Sequence, residues 1–361
     1  MRRAVLVVTT LLVAAVLGVQ AQAGPIIPMH QQTVTEDVHG SVRSVTVTGD
    51  YSSVKVLTGT STRVRAQESW NFQQPKLTVS LNRGVLKVEI SCTDSTTVGG
   101  VVFVGSGDLV NDCTDDLTVT VPSAASLAVT SSGAITSTGR HAAQRLHSYG
   151  AGVTVAHSIG SVDASSDSGN VTGSDLHGVQ VSLRSGQGSV EARGLRATEL
   201  SLSSDAGDVS ADSVVVGNLS AHSGQGALAV TDTTARSMML STDSGDITLQ
   251  RLHLGSLQAS TGQGIVRSSH LSAATASLRS SSGDVTVNDA NSSTLELSSG
   301  QGTLTTTGLR VTHLTATTDA GNIHAVTTNA PNEMLLHSGQ GTVLGDVATG
   351  TYAVTASSGQ G

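Results

Sequence analysis

The chain has 361 residues, of which 40 are glycine, 2% are aromatic and 13% are charged. This composition excludes a large aromatic core, so main-chain ladders and small aliphatic side chains must hold the fold together. The formal net charge of -8 argues against nucleic acid or an anionic membrane as a partner.

Residues 1–23 have the pattern of a secretory signal peptide. Arg2 and Arg3 precede an apolar run, and Ala21-Gln22-Ala23 forms a small-residue cleavage site. The run is short for a membrane span and no later segment replaces it. We therefore predict a protein that is exported through its signal peptide, secreted or at the cell surface, without a membrane span.

Residues 24–122 contain alternating strands without a regular repeat. Apolar residues recur two apart, as in Val45 and Val47, which indicates strands with one buried face. We predict an N-terminal β region that caps the repeats after it, because an open sheet end invites aggregation.

Cys92 and Cys113 are the only cysteines of the chain. In an exported protein a disulfide is favoured over a metal site or a reactive thiol. Closing this loop should stabilise the fold by roughly 3 kcal/mol. We predict a Cys92–Cys113 disulfide.

Residues 123–361 repeat one phrase at a fixed period. Marker glycines recur every 19 residues, at Gly169, Gly188, Gly207, Gly226, Gly245, Gly264, Gly283, Gly302 and Gly321. The phrase around them alternates between an Asp form, as in Asp205-Ala206-Gly207-Asp208, and a Gly-Gln-Gly form, as in Ser223-Gly224-Gln225-Gly226. A period near 20 residues is typical of a solenoid.

Apolar residues inside the repeat define its shape. Counted from a marker glycine, they occupy positions 2 and 4, 7 and 9, and 12 and 14, as in Val209, Ala211, Val214, Val216, Leu219 and Ala221. A step of two indicates a strand with alternating faces, and a step of three indicates a corner. The sequence therefore predicts an all-β fold, a three-sided β-solenoid of 19-residue coils with an N-terminal β capping region.

The residue three before each marker glycine is always serine or threonine. Examples are Ser185, Ser204, Ser223, Thr242, Thr261 and Ser280. In coils about 4.8 Å apart, we expect these residues to form a structural ladder in which each hydroxyl is donor and acceptor to its neighbours.

The Asp phrases place an acidic corner along one edge. Asp205, Asp208, Asp243 and Asp246 could supply oxygen ligands to calcium, or their side chains could accept from nearby main-chain N–H groups. Carboxylates recur only in every second coil, about 9.6 Å apart, which favours the second interpretation. We name no cofactor for the protein and keep calcium as the alternative at this corner.

Neither zinc chemistry nor catalysis is indicated. His177 and His253 share position 8 but are four coils apart, about 19 Å, too far for one zinc ion. Polysaccharide cleavage needs carboxylates that converge on one bond, whereas the acids here form a regular edge. We name no catalytic residue.

The given sequence ends inside a repeat phrase, Ser358-Gly359-Gln360-Gly361. We expect either that the chain is incomplete or that its last coil makes an end-to-end contact with a partner or a second copy.

The strand Asp115–Pro122 precedes recurrent Ser-Gly-Asp-Val/Ile phrases, such as Ser244-Gly245-Asp246-Ile247 and Ser282-Gly283-Asp284-Val285. In these features the chain resembles the putative-adhesin domain of unknown function, over roughly residues 40 to 361. The resemblance implies a β-solenoid and adhesion. The Gly-Gln-Gly phrase in every second coil departs from the family pattern.

These observations predict a non-enzymatic secreted or cell-surface adhesion or scaffold protein that presents flat solenoid faces. Its expected partner is a surface glycan or a protein. The alternatives are a polysaccharide-active β-helix enzyme and a calcium-binding structural spacer.

Overall fold

A computed structural model of the protein describes residues 29–71, 74–91, 97–98, 101–102, 113–123 and 125–360. Every regular element of these residues is a β-strand, so the predicted all-β class is confirmed. Among these residues, no helix has the length and hydropathy to cross a bilayer. The predicted signal peptide lies outside the described residues.

The described residues divide into two compact units, one up to Ser158 and one from Ile159 onward. The predicted boundary after residue 122 falls inside the first unit. Its described strands are β1 (His30–Val38), β2 (Ser44–Gly49), β3 (Ser53–Thr58), β4 (Thr62–Trp70), β5 (Lys76–Asn82), β6 (Val85–Ser91), β7 (Thr97–Val98), β8 (Val101–Val102), β9 (Cys113–Val121), β10 (Ser126–Ser131), β11 (Ala134–Thr138), β12 (Gln144–Ser148) and β13 (Val153–Ala156).

The first unit already contains stacked parallel strands. One parallel ladder runs β6–β2–β10–β12 and a second runs β9–β3–β11–β13. Val45 of β2 is paired with Leu86 on one side and with Leu127 on the other, and all three side chains are buried. Coil-like stacking therefore begins before the regular sequence repeat does.

Antiparallel strands close these two ladders on one side. β5 pairs with β6, β4 pairs with β9, and β1 pairs with β4, each in the antiparallel sense. The strands β6 and β9 are thus paired on both edges. This arrangement matches the predicted N-terminal β capping region, since a covered edge has no main-chain groups left to recruit another strand.

The second unit is the regular solenoid. Its strands are β14 (Val162–Ser166), β15 (Val171–Ser174), β16 (His177–Ser185), β17 (Val190–Arg193), β18 (Arg196–Ser204), β19 (Val209–Asp212), β20 (Val215–Ser223), β21 (Leu228–Thr242), β22 (Ile247–Thr261), β23 (Val266–Ser280), β24 (Val285–Ser299), β25 (Leu304–Ala320), β26 (Ile323–Thr327), β27 (Glu333–Gln340), β28 (Val343–Asp346) and β29 (Ala353–Gln360).

Successive coils of the second unit pair in parallel with a constant register. Leu228 is paired with Ile247, which is paired in turn with Val266, each step being 19 residues. The predicted inward positions are buried, from Val190 at 0% exposure to Leu254 at 9%. Ala197, at position 9 of its coil, is half-buried and departs from this pattern. The predicted three-sided solenoid of 19-residue coils is confirmed.

The corner between the first two inward pairs has a left-handed backbone. Position 6 has a positive φ in the eight coils from the one after Gly169 to the one after Gly302, at Asp175, Gly194, Ser213, Asp232, Arg251, His270, Asp289 and Gly308. This region is rare for residues with a Cβ and carries strain. The step of three in the sequence located this corner, but the varied residue types concealed its backbone conformation.

One irregular coil is repaired by a side chain. Between Gly321 and Gly341 the repeat has one extra residue. Asn329 fills the gap there: its Oδ1 accepts from the Val311 N–H at 3.0 Å, and its Nδ2 donates to the Val311 carbonyl at 2.9 Å. The amide group therefore takes the place of a paired strand.

We expect Val209→Asp to lower the free energy of unfolding by several kcal/mol, because it buries an unpaired charge in the solenoid core. Glu199→Asp, at an exposed outward position, is the control and should change little. Thermal unfolding of both variants checks this expectation. Equal melting temperatures would contradict the inward register.

Candidate functional site

The corner that carries the marker glycines is joined from coil to coil through hydroxyl groups. The hydroxyl of Ser204 accepts from the N–H of Gly207 at 2.8 Å. The same hydroxyl donates to the carbonyl of Gly188, in the preceding coil, at 2.8 Å. Each hydroxyl thus bonds to its own coil and to the one before it.

The same pair of bonds recurs along the second unit. It is made by Ser185, Ser204, Ser223, Thr242, Thr261, Ser280 and Ser299, all of them buried. The buried Thr318 donates to the carbonyl of Gly302 in the preceding coil, while the N–H of Gly321 donates to the Gln340 carbonyl instead. The partners of these hydroxyls are glycine main-chain groups, whereas the sequence suggested bonds from one hydroxyl to the next. The difference has a steric cause, because main chains approach closely at the glycines. A Cβ on Gly207 would lie 2.4 Å from the Gly188 carbonyl oxygen.

The carboxylates one residue after the marker glycines bond to the main chain of the next coil. Asp208 Oδ1 accepts from the N–H of Ala227, and Asp246 Oδ1 accepts from the N–H of Ile265, both at 2.8 Å. In addition, Arg267 donates to Asp246 Oδ2 at 3.1 Å. These two carboxylates therefore have the turn-forming role that their spacing favoured.

The carboxylates two residues before the marker are exposed. Asp205 and Asp243 alternate with Gly224 and Gly262 in the intervening coils. A Cβ on Gly224 would lie 2.3 Å from the carbonyl oxygen of Asp205. A side chain in every coil at this position is therefore sterically excluded, which adds a packing reason to the alternation of charge.

Within the described residues, no group of three or more His, Cys, Asp or Glu side chains is arranged to hold a metal ion. Calcium binding at Asp205, Asp208, Asp243 and Asp246 stays a prediction. In Asp208 and Asp246, one carboxylate oxygen already accepts a hydrogen bond from a main-chain N–H group. Cys92 lies outside the described residues, so its disulfide with Cys113 also stays a prediction.

Two carboxyl groups are buried side by side in the first unit. Glu68 of β4 is paired with Asp115 of β9, and their side chains are 1% and 0% exposed. Gln74 Nε2 donates to Glu68 Oε2 at 3.3 Å. Burial, with the charges of Glu68 and Asp116, raises the pKa of Asp115 to about 7, and burial also raises the pKa of Glu68.

The sequence analysis missed this pair, although the alternation of its strands contained the signal. Glu68 follows Val64 and Ala66 at every second position, and these are buried. Asp115 precedes Leu117 and Val119 in the same way. Because side chains alternate along a strand, both carboxyls could have been assigned to the inner face.

The sequence matches a known protein family over most of its length. The family model described as Toastrack DUF4097 matches residues 43–250 and 227–361. No curated protein matches the sequence significantly.

Three crystal structures give low-scoring superpositions. A putative adhesin from Bacteroides fragilis is 16% identical, with 77% of this chain and 97% of that chain covered and a TM-score of 0.33. A putative lipid binding protein from Parabacteroides distasonis is 12% identical, with 88% and 95% covered and a TM-score of 0.24. A putative cell adhesion protein from Clostridium sporogenes is 9% identical, with 66% and 99% covered and a TM-score of 0.21.

We expect Ser223→Ala to destabilise the solenoid by about 2 kcal/mol, because it leaves the Gly226 N–H and the Gly207 carbonyl without their hydroxyl partner. Ser223→Thr should keep most of the stability, since threonine serves at the same position in other coils. Ser220→Ala, at an exposed position of the same strand, is the matched control. Urea unfolding measures all three, and equal losses for both alanine variants would contradict the ladder's role.

The second expectation concerns pH. A carboxyl group with a raised pKa in the folded chain destabilises the fold when it ionises, so stability falls as pH rises from about 4 to about 7. Asp115→Asn should therefore raise the melting temperature at pH 8, and the gain should disappear towards pH 4. The fluorescence of Trp70, which is on the same strand as Glu68, measures the unfolding of the first unit.

Asp50→Asn, at an exposed position of the first unit, is the control and should leave the pH dependence unchanged. A constant difference between Asp115→Asn and the unsubstituted protein across this pH range would contradict a proton held by the pair.

Proposed function

Because the chain belongs to the Toastrack DUF4097 family, we propose that it is a non-enzymatic adhesion or scaffold protein, secreted or held at the cell surface. The single observation that carries this proposal is the regularity of its outward faces. Thr248, Arg267 and Thr286 stand in register at the same position of successive coils. Coils repeat about every 4.8 Å along the stack, so an extended partner meets the same position many times.

Many weak contacts in a row give strong total binding. Linked contacts make each further contact intramolecular, which raises avidity without any deep pocket. The outward side chains suit such contacts, since most are serine, threonine or other short polar residues. A surface glycan or the surface of a protein is the partner that this arrangement favours.

The distribution of carboxyl groups disfavours the enzyme alternative. Glycoside hydrolysis requires two carboxyl groups on either side of the scissile bond. Glu68 and Asp115 are close in the sheet, but both side chains are buried, so no polymer reaches them. Asp205 and Asp243 are exposed, but they stand in a row at the same position of two coils, so they do not face each other across a bond.

The calcium-binding spacer is the other alternative. At this corner, Asp208 and Asp246 each accept a hydrogen bond, through one carboxylate oxygen, from a main-chain N–H of the next coil. A carboxylate that already stabilises the turn needs no cation to hold the corner together. We therefore expect adhesion to be independent of calcium.

The test is binding of the purified, exported chain to the surface of its own cells and to glycans extracted from them, with and without a calcium chelator. Saturable binding that resists the chelator is expected. Loss of binding with the chelator would favour calcium at the acidic corner. The absence of saturable binding in both conditions would contradict adhesion and favour a structural spacer.

A panel of uronate and neutral polysaccharides tests the enzyme alternative in parallel. We expect neither hydrolysis nor elimination products after prolonged incubation. Release of oligosaccharides, in amounts that increase with protein concentration, would overturn the non-enzymatic proposal.

A further inference from the structure

One face of the second unit contains a shallow hollow of about 390 Å³. This face, here called the third face, is formed by the outward side chains at positions 11, 13 and 15 after each marker glycine. The side chains that line the hollow include those of Met239, Ser241, Gln258, Ser260, Arg279 and Glu296. Its volume lies within the range of small-molecule sites.

The hollow results from a local pattern of side-chain size. Met239 is paired with Gln258 in the next coil, so two long side chains line one row. Ser241 is paired with Ser260 in the neighbouring row, and Arg279 follows one coil later. Two short side chains between longer ones leave the concavity.

At one end of the hollow a charged donor and acceptor are fixed side by side. Arg279 Nη2 donates to Glu296 Oε2 at 2.7 Å, and Ser277 Oγ donates to the same oxygen at 3.0 Å. Arg279 Nε in turn donates to Ser277 Oγ at 3.0 Å. The Arg279 guanidinium lowers the pKa of Glu296, so its carboxylate stays ionised.

Within the part of the chain that the structure describes, the hydrogen bonds of this pair use only some of its donors and acceptors. All the bonds above go to Oε2 of Glu296 or come from Nε and Nη2 of Arg279. Oε1 of Glu296 is an acceptor and Nη1 of Arg279 is a donor, and both side chains are about half exposed. The solenoid therefore presents an ordered donor next to an ordered acceptor.

An adjacent donor and acceptor match two neighbouring hydroxyl groups. One hydroxyl donates to the carboxylate while the other accepts from the guanidinium, and hydrogen bonds to ionised groups are the stronger kind. At the other end of the hollow, Met239 is 57% exposed and offers a polarisable apolar contact. Met239 is three coils from Glu296, about 14 Å along the stack, so it contacts a neighbouring ring of a saccharide chain whose vicinal hydroxyls bind the Arg279–Glu296 pair.

We propose that the Arg279–Glu296 end of this hollow is a subsite for one saccharide ring bearing vicinal hydroxyls, and that the ring is neutral. The carboxylate of Glu296 and the net charge of -8 disfavour an anionic sugar, because like charges repel. This inference rests on the proposed adhesive function and names its ligand class. A single ring binds weakly here, and avidity along the face supplies the strength.

The test uses the full exported chain and a panel of methyl glycosides of neutral hexoses, with uronates and deoxy sugars that lack one vicinal hydroxyl as comparisons. Saturation-transfer NMR and titration measure binding. We expect neutral glycosides to bind, and both the uronates and the deoxy analogues to bind roughly tenfold more weakly.

Substitutions locate the site. Arg279→Ala and Glu296→Gln should each lower the affinity for neutral glycosides roughly tenfold. Ser260→Leu should abolish binding, because the larger side chain at this exposed position fills the hollow. Arg184→Ala is the matched control, since Arg184 occupies the same position of another coil on the same face, outside the hollow. It should bind as the unsubstituted protein does.

The outcomes separate this inference from the proposed function. No binding of any neutral glycoside, or equal binding by Ser260→Leu and Arg184→Ala, would overturn the saccharide subsite. Adhesion to cells that persists in the Ser260→Leu variant would also overturn the subsite while leaving the adhesive function intact. Loss of cell adhesion in Ser260→Leu but not in Arg184→Ala would support both.

Discussion

The close approach of glycine main chains at one corner is the constraint on which the solenoid depends. At Gly207 a Cβ would lie 2.4 Å from the carbonyl of Gly188, so only glycine allows this spacing. The bridging hydroxyl of Ser204 satisfies the main-chain groups that the tight corner turns inward. With the corner fixed, the three inward pairs of each coil stack in register, and the outward faces become regular.

The sequence was sufficient to predict the solenoid because its period and its inward pairs repeat many times. It could not reveal the hydroxyl partners, since the nearest partner depends on how closely two main chains approach. It also concealed the left-handed corner, where Arg251 and His270 stand at the same position as glycine. In the first unit, β2 stacks on β6 and β10 across irregular sequence intervals, which no fixed period indicates.

The candidate sites could be predicted from the sequence less completely than the fold. The acidic corner was visible because its residues recur with the period, and Asp208 accepts a hydrogen bond from the Ala227 N–H of the next coil. The hollow arises from differences between coils, such as the long side chain of Met239 beside the short one of Ser241. A consensus repeat averages such differences away. The chemistry of the hollow therefore depends on the side chains that differ from the consensus repeat.

The alternation of Gly224 with Asp205 at one corner position also restricts how such a protein can change in length. A side chain at Gly224 would collide with the carbonyl of Asp205, so an Asp-form coil is followed by a Gly-Gln-Gly coil. Gene duplication of one Asp-form coil, or deletion of a Gly-Gln-Gly coil between two of them, would place two Asp-form corners together. Gly-Gln-Gly phrases can follow one another, as those ending at Gly341 and Gly361 do, so a new Asp-form coil has to be inserted together with a Gly-Gln-Gly coil.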